Sequence, residues 1–212
     1  MAQSYRILHH WNQWLAQHFL GHKLLQTEKE IIAHLLGTHF GKHALLIGVP
    51  EQQSLLTATT MPCHSFLTPF MSKEKIPAYI EADFHELPIL TGSVDLLMLP
   101  HTLEYIDNPR QLLSEACRVI KPEGLILICG FNPYSGWGLK KLVSRTKTIP
   151  YSANFIDFNK VKSWLQLADF LLEEQKFVLF APPIANANIY KKLNFLERIG
   201  QKFFPFLAVS MF

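Results

Sequence analysis

The sequence is short of charge and has no hydrophobic run long enough to cross a membrane. Charged residues make up 17% of its 212 residues and hydrophobic ones 49%, so the chain can bury a large core. Its length fits one domain of α/β size. Residues 1–10 also lack the apolar segment of a signal peptide. We therefore expect a cytoplasmic protein without a transmembrane segment.

Cysteine is scarce, and basic residues are not concentrated in any one region. The three cysteines are Cys63, Cys117 and Cys129, and their spacing matches neither a disulfide framework nor a zinc site. This pattern favours a reducing compartment. The net charge is only +3, and the densest basic cluster, residues 140–147, is interpreted as a solvated helix end or, alternatively, a phosphate-binding patch. No metal site and no clear nucleic-acid signature are predicted.

The clearest pattern in the chain lies in residues 82–130. Residues 93–100 are a short apolar run, typical of a buried strand. Asn108 and Pro109 open a helix, and the residues from 121 to 124 end it in a turn. An apolar strand follows at 124–130. A strand, a helix and a strand in succession predict a βαβ unit and therefore a parallel sheet.

The residues before this stretch alternate between helical and strand patterns. Residues 5–20 predict a helix whose apolar face packs on the main domain or over a ligand cleft, and an interfacial membrane helix is the alternative. Thr27 and Glu30 have the spacing of a capping box and predict the start of a second helix. The strands are expected at 43–48, 63–68 and 78–80, with a short helix within 50–60.

The residues after the stretch give a less regular series of elements. Residues 131–147 predict a glycine-containing loop and a short basic helix, and Asp157 or Asn159 caps a helix over 160–170. A sixth strand is expected within 171–180 and an amphipathic helix at 188–202. Residues 206–212 resemble the start of a seventh strand, which is either very short or truncated.

Many spaced residues of the central stretch occur together in one known family. They are Asp83, the Ser-Val-Asp-Leu-Leu run from Ser93, the His-Thr-Leu-Glu run from His101, and the Asn-Pro, Leu-Leu, Glu, Arg-Val, Lys-Pro and Gly positions between 108 and 124. In this pattern residues 80–135 resemble class I S-adenosylmethionine-dependent methyltransferases of the type 11 kind. The following run FNPYSGWGLKKL is similar to a narrower bacterial group with a degenerate glycine-rich motif.

The resemblance implies a Rossmann-like methyltransferase fold, with a mostly parallel central sheet, helices on both faces and N-terminal helices. Residues 1–212 then form a single methyltransferase-like domain, with a helical extension at 1–40 and an α/β core at 41–212. The implied cofactor is S-adenosylmethionine. It is expected beyond the carboxyl ends of the strands, where the strand order reverses.

Two parts of the cofactor site that the resemblance implies are present. Asp83, followed by Phe84, matches the acid that binds the adenine amino group. Leu99, Pro100 and His101 match the loop after the fourth strand, which lines the methionine moiety and the acceptor. His101 is interpreted as a general base toward the acceptor or, alternatively, as a wall residue of the site.

The other two parts depart from the family's pattern. Gly48 ends the first strand, but Pro50 and its neighbours replace the remaining glycines, and Leu46 stands where an acid is usual. Pro50 has no N–H and a fixed φ, so the usual turn cannot form unchanged. Thr68 replaces the ribose-binding acid and offers only a neutral hydrogen bond, and Glu51 is a candidate substitute. These losses, about 3–5 kcal/mol, move a micromolar affinity toward the millimolar range.

The leading hypothesis is therefore a methyltransferase with an atypical cofactor loop and a small-molecule or unidentified acceptor. Asn132 and Tyr134, after the fifth strand, are expected either to contact the acceptor or cofactor or to form an Asn-Pro turn. The alternative is a methyltransferase-like protein that has lost catalysis and serves as a binding or scaffold module. A third hypothesis is a binder of nucleotides or other metabolites.

Overall fold

A parallel sheet forms the centre of residues 1–128. The computed structural model describes residues 2–71, 78–143, 148–178 and 210–211. The strands are β1 (His43–Ile47), β2 (Cys63–Thr68), β3 (Tyr79–Glu81), β4 (Val94–Pro100) and β5 (Ile120–Phe131), in the spatial order β3-β2-β1-β4-β5. β1 pairs in parallel with both β2 and β4, and β2 pairs in parallel with β3. The predicted Rossmann-like α/β fold is confirmed.

The apolar runs of the sequence form the core of this sheet. Leu45 of β1 lies between Ser65 of β2 and Leu97 of β4, and both leucines are fully buried. Parallel strands covered on both faces need such continuous apolar runs. For this reason the predicted bounds of β1, β2 and β4 agree closely with the structure.

The N-terminal helices are α1 (Ala2–Gln17) and α2 (Phe19–Leu35), followed by a 3-10 helix at Leu36–Thr38. They are separated at His18, whose Nδ1 accepts a hydrogen bond from Leu20 N at 3.2 Å and caps α2. The predicted helix start at Thr27 is therefore wrong. Thr27 lies inside α2, because the buried apolar stripe of that helix continues on both sides of it.

The central helix, α3 (Pro109–Val119), begins where the sequence predicts, since Asn108 Oδ1 accepts a hydrogen bond from Gln111 N at 3.3 Å. The predicted turn at 121–124 is wrong, because β5 starts at Ile120, directly after the helix. Lys121 donates to Asp95 Oδ1 of β4 at 2.7 Å. That ion pair ties the first residues of β5 to the neighbouring strand.

Two 3-10 helices follow the central strands. Pro50–Ala58 comes after β1, and Thr102–Glu104 comes after β4. The first begins with a proline, whose fixed φ suits the first position of a helix. Because both helices start at the carboxyl ends of their strands, they position the side chains of the candidate site.

Residues 129–212 form a compact unit of their own. It contains α4 (Gly136–Val143), α5 (Phe158–Gln166), and the short strands β6 (Phe177–Val178) and β7 (Ser210–Met211), where β7 pairs antiparallel with β6 and with the end of β5. The Phe131 ring lies 5.9 Å from Trp137 and 5.0 Å from Phe155. Asp157 accepts a hydrogen bond from Asn159 N at 2.8 Å and caps α5, as predicted.

The loop after β5 has the geometry of a turn. Asn132 Oδ1 accepts a hydrogen bond from Tyr134 N at 2.8 Å, which favours the second of the two interpretations of these residues. Gly138 packs against the same loop, where a Cβ would lie 1.8 Å from the carbonyl oxygen of Pro133. No larger residue than glycine fits at this position.

Some predictions fall at or beyond the limits of the described residues. The sixth strand is found as β6, but residues 171–176 are not in a strand, and 179–180 lie outside the described residues. The helix predicted at 188–202 also lies outside them. The single domain over 1–212 stays a prediction. Within the described ranges, no helix has the length and apolarity to cross a membrane, and no group of three potential metal ligands occurs.

Candidate functional site

The carboxyl ends of β1 and β4 lie side by side in the middle of the sheet. From β1 the chain continues outward to β2 and β3, and then returns to add β4 on the other side of β1. The strand order therefore reverses between β1 and β4. In open α/β sheets, ligands bind in the crevice beyond the carboxyl ends at this point.

The side chain of Gln52 spans this crevice. Its Oε1 accepts a hydrogen bond from Val49 N at 3.0 Å, and its Nε2 donates to the Pro100 carbonyl oxygen at 2.6 Å. The residue is only 1% exposed. A Cβ at Gly48 would lie 2.5 Å from Gln52 Oε1, so the amide is packed directly against the glycine. Gln52 thus joins the ends of β1 and β4.

A second side chain makes the same connection from the other strand. Thr102 Oγ1 donates to the Ile47 carbonyl oxygen at 2.7 Å and is buried. Leu99, three residues before Thr102, is fully buried, so its side chain belongs to the core. The predicted residues Gly48, Leu99 and Pro100 are therefore brought together, with Gln52 between them.

His101 lies in a fully buried charged cluster. Its Nδ1 is 2.8 Å from Glu104 Oε2, and its Nε2 is 2.6 Å from Glu28 Oε1 of α2. Burial by itself lowers the pKa of His101, but the charges and hydrogen bonds of Glu28 and Glu104 outweigh it and raise the pKa to about 10. Because both ring nitrogens contact a carboxylate, this geometry does not favour the general-base role of His101, which stays a prediction. The geometry is compatible with His101 as a wall residue of the site.

The backbone of His101 is also unusual, with φ 56° and ψ 8° in the left-handed region. A non-glycine residue held there carries strain of about 1 kcal/mol or more. The Trp11 ring lies 5.5 Å from the His101 ring and is stacked 4.8 Å from Tyr105. The ion pairs and these rings together hold the loop after β4 in its conformation.

The ends of β2 and β3 carry Thr68 and Asp83. Thr68 is fully buried, and its hydroxyl has no hydrogen bond to any described residue. Asp83 Oδ2 accepts a hydrogen bond from the Tyr5 hydroxyl of α1 at 2.6 Å, and Oδ1 accepts from His85 N at 2.8 Å. The His85 ring also contacts Oδ1. Phe84, between them, is buried.

The charge of Asp83 is stabilised by these partners. Partial burial by itself raises the pKa of Asp83, but the hydrogen bonds from Tyr5 and His85 outweigh it and lower the pKa below its usual value. Burial, together with the hydrogen bond to Asp83 and the charge of that carboxylate, raises the pKa of Tyr5 to about 12. The carboxylate is 39% exposed, so one side of it remains accessible.

Glu51 is not brought together with these residues. Its backbone N–H donates to Asn12 Oδ1 of α1 at 3.0 Å. Its side chain lines a separate cavity of about 460 Å³, together with Pro50, Ser54, Thr57, His64 and others, none of which is a predicted site residue. The interpretation of Glu51 as a substitute ligand stays a prediction.

Helix α1 contacts three loops at the carboxyl edge of the sheet. Tyr5 donates a hydrogen bond to Asp83 in the loop after β3, Asn12 accepts one from the loop after β1, and Trp11 packs on the loop after β4. Helix α1 therefore packs over the cleft, as one of the predictions for it states. Tyr5 and Asn12 are seven residues apart, on one face of the helix, which is a signal the sequence reasoning missed.

Gln52 and Glu28 were also missed. Gln52 has a local signal, because it shares the buried face of its helix with Leu55 and Leu56 at helical spacing. A polar residue on an apolar stripe predicts a buried polar contact. Glu28 has the same kind of signal, because it lies at helical spacing between Leu24 and Ile32 on the buried stripe of α2, although its partner His101 is distant in sequence.

S-adenosylmethionine, which the sequence resemblance implies, fits part of this site. The buried Thr68 hydroxyl and the accessible side of Asp83 match a ribose hydroxyl and an adenine amino group. The crevice between β1 and β4 does not fit the amino-acid end of the molecule, because the Gln52 amide lies in it. The site therefore fails to fit S-adenosylmethionine only at the amino-acid end of the cofactor.

Comparison with known families agrees with the fold. Residues 65–128 match the model of a family described as a methyltransferase domain. This segment contains the ends of β2, β3 and β4, with Thr68, Asp83 and Pro100. The resemblance to class I methyltransferases that the sequence predicts is confirmed.

Two curated proteins match about half of the chain. The uncharacterized protein YafS of Escherichia coli is 40% identical over 101 residues, which are 47% of this chain and 42% of YafS. The malonyl-[acyl-carrier protein] O-methyltransferase of Laribacter hongkongensis is 25% identical over 108 residues, which are 50% of this chain and 36% of that enzyme. Each match therefore spans less than half of the relative's own length.

A solved structure extends the likeness to most of the chain. The S-adenosylmethionine-dependent methyltransferase of Thermotoga maritima superposes with a TM-score of 0.64 at 17% identity, covering 83% of this chain and 87% of that one. At this level of identity, the likeness establishes the fold.

Proposed function

We propose that this chain is an S-adenosylmethionine-dependent methyltransferase with an atypical cofactor loop. The observation that carries the proposal is the carboxyl edge of the sheet. There, β1 and β4 meet at the reversal of strand order, and Asp83 and Pro100 lie within the segment that matches a methyltransferase domain. A ligand site is expected at this edge on physical grounds.

Each residue has a role that its position supports. The accessible side of Asp83 accepts a hydrogen bond from the adenine amino group, and the Thr68 hydroxyl binds the ribose. The backbone of Gly48, Leu99 and Pro100 lines the amino-acid end. Phe84, which follows Asp83, is buried and anchors the loop in the core.

When bound, S-adenosylmethionine supplies an electrophilic methyl group, and the chain's own contribution is to hold cofactor and acceptor in line. His101 does not act as a base in this proposal, since carboxylates occupy both of its nitrogens. The proposed acceptor is therefore a group that is already deprotonated at neutral pH, such as a carboxylate. Malonyl-[acyl-carrier protein], named for the Laribacter relative, carries such a carboxylate.

Calorimetric titration with S-adenosylmethionine and S-adenosylhomocysteine tests the proposal. We expect binding in the high-micromolar to millimolar range, weakened about tenfold or more by Asp83→Asn, because a charge-assisted hydrogen bond contributes about 1.5–3 kcal/mol. Glu86→Gln removes an exposed acid of the same loop and is the matched control. No heat and no thermal shift at millimolar cofactor contradict the proposal.

Methyl transfer is then measured with isotopically labelled cofactor. The first acceptor is malonyl-[acyl-carrier protein], followed by small carboxylates. Label in the acceptor supports catalysis, and its loss in Asp83→Asn assigns the activity to this site.

A second candidate is a methyltransferase-like binding or scaffold module without catalysis. It is favoured by Pro50, which has no N–H to offer a ligand, and by the Gln52 amide in the crevice. S-adenosylmethionine that co-purifies with the protein counts against this candidate.

The proposal includes a cytoplasmic location and a small-molecule partner. The three cysteines are free, which supports a reducing compartment. The small net charge of +3 supports a small molecule better than a nucleic acid.

A further inference from the structure

The amide of Gln52 occupies the crevice in which the proposed function requires a ligand. Its two hydrogen bonds join Val49, just after β1, to Pro100, at the end of β4. It is 1% exposed and fills the space against Gly48. A ligand that enters between the two strand ends therefore meets this side chain first.

The hydrogen bonds require the chemistry of glutamine. One neighbour is a backbone N–H and needs an acceptor, and the other is a carbonyl oxygen and needs a donor. An uncharged amide supplies both, whereas a carboxylate has no proton to donate and an apolar side chain supplies neither. Leaving either backbone group buried and unpaired is costly, so the glutamine is held firmly in place.

We propose that Gln52 sets the affinity of the site for S-adenosylmethionine by occupying the position of its amino-acid end. The side chain must leave the crevice before that end of the cofactor binds. The inference rests on the proposed function and explains how a class I fold tolerates Pro50: the chain's own amide holds the loop that glycines hold elsewhere in the resembled family. The adenosine end, near Thr68 and Asp83, does not depend on Gln52.

This division between the two ends gives a direct test. Adenosine has no amino-acid end, so it binds without displacing Gln52. S-adenosylmethionine has one, so its binding includes the cost of breaking two buried hydrogen bonds. Comparing the two ligands separates the effect of Gln52 from any general change in the protein.

The experiment measures the dissociation constants of both ligands for the full chain by calorimetry. We expect Gln52→Ala to bind S-adenosylmethionine about tenfold or more tightly than the unmodified chain, with adenosine unchanged within about twofold. Gln53→Ala is the matched control, since this neighbouring glutamine lines the separate cavity. It should alter neither constant.

A second variant and a second measurement guard against misfolding. Gln52→Met keeps most of the volume without the hydrogen bonds, and we expect an intermediate gain in affinity. In the unmodified chain, NMR follows the Gln52 side-chain amide, whose buried protons should exchange slowly with water. At saturating S-adenosylhomocysteine we expect this exchange to become fast, and slow exchange at saturation overturns the inference.

The outcomes separate the inference from the proposed function. If the unmodified chain binds S-adenosylmethionine and Gln52→Ala binds it no more tightly, the inference is overturned and the proposed function stands. An equal gain for adenosine also overturns the inference, because the effect is then not confined to the amino-acid end. If no variant binds either ligand, both are overturned.

Discussion

Buried side-chain hydrogen bonds, rather than glycines, fix the turn after β1. Gln52 Nε2 donates to Pro100 O, and Thr102 Oγ1 donates to Ile47 O in the opposite direction between the same two strands. Each such bond contributes about 0.5–1.5 kcal/mol, and leaving a buried partner unpaired costs about 1–3 kcal/mol. The turn can therefore contain a proline and still keep a single conformation.

Tyr5→Phe tests the contact between α1 and the acid after β3. The Tyr5 hydroxyl is one of the groups that lower the pKa of Asp83 against the effect of burial. We expect the variant to raise the pKa of Asp83, which NMR titration of its carboxyl carbon measures. Tyr79→Phe is the control, because it removes a similar hydrogen bond, to Phe70 O, without touching Asp83.

The same variant should lower the free energy of unfolding near neutral pH, and its difference from the unmodified chain should disappear in acid. Because the folded-state pKa of Asp83 is depressed, its contribution is present above the unfolded value of about 3.9 and is lost as the pH falls through the folded value. Tyr5→Phe reduces that contribution. An unchanged pKa of Asp83 in the variant would show that the Tyr5 contact does not form in solution.

At the scale of elements, the strands were predictable and several boundaries were not. β1 and β4 are buried along almost their whole length, and the last three residues of β2 are buried, so their apolar runs mark these strands. The start of α2 was missed, because a His18 cap is a weaker pattern than the capping box at Thr27. The start of β5 was missed, because the turn-like Lys-Pro-Glu-Gly run is held in the strand by Lys121 and Asp95.

Only those residues of the candidate site that lie at or near the end of a strand could be predicted from the sequence. Asp83 lies two residues after β3 and Pro100 ends β4, so the order of elements gives their position. The contacts of Tyr5, Glu28 and Gln52 join segments far apart in sequence. Such contacts depend on how helices pack over the sheet, which no local pattern specifies.

Arg118→Lys tests how α3 holds the loop before β4. Arg118 donates to the carbonyl oxygens of Leu87 and Ile89 and to both oxygens of Glu115, at 2.7 to 3.0 Å. Lysine cannot reproduce this planar set of donors. We expect a loss of about 1–2 kcal/mol in the free energy of unfolding, measured by urea denaturation.

Arg110→Lys, at an exposed position of the same helix, is the control for this prediction. It should change the free energy of unfolding by less than about 0.5 kcal/mol. Equal effects of the two substitutions would mean that the loop does not depend on Arg118.

At the scale of the whole molecule, shifted pKa values should make the free energy of unfolding fall both in acid and in alkali. Hydrogen bonds and ion pairs outweigh burial and lower the pKa values of Asp95 and Glu115, as the hydrogen bonds of Tyr5 and His85 lower that of Asp83. These contributions are present above about pH 4 and are lost as the pH falls through the folded values. The pKa of the buried His101 is raised instead, so its contribution to stability is lost as the pH rises.

The free energy of unfolding should therefore fall as the pH rises above about 6.5. His101 keeps its proton in the folded state up to a pKa of about 10, while the unfolded state releases it near 6.5, so its stabilisation is complete below 6.5 and lost toward 10. The slope is at most about 1.4 kcal/mol per pH unit. Of the neighbouring groups, Glu28 and Glu104 supply the attraction, and burial raises the pKa of Tyr105 well above this window.

Urea denaturation of the full chain between pH 6 and 9.5 measures this slope, and His101→Gln should flatten it. The variant also leaves two buried carboxylates without their cation and should lose about 3–5 kcal/mol at pH 6, where the histidine contributes most. Exposed His10→Gln is the control and should keep the slope of the unmodified chain. A flat profile of the unmodified chain between pH 7 and 9 would show that His101 is neutral in the folded state. In that case the cluster takes up no proton on folding, and the ion pairs of His101 with Glu28 and Glu104 do not form.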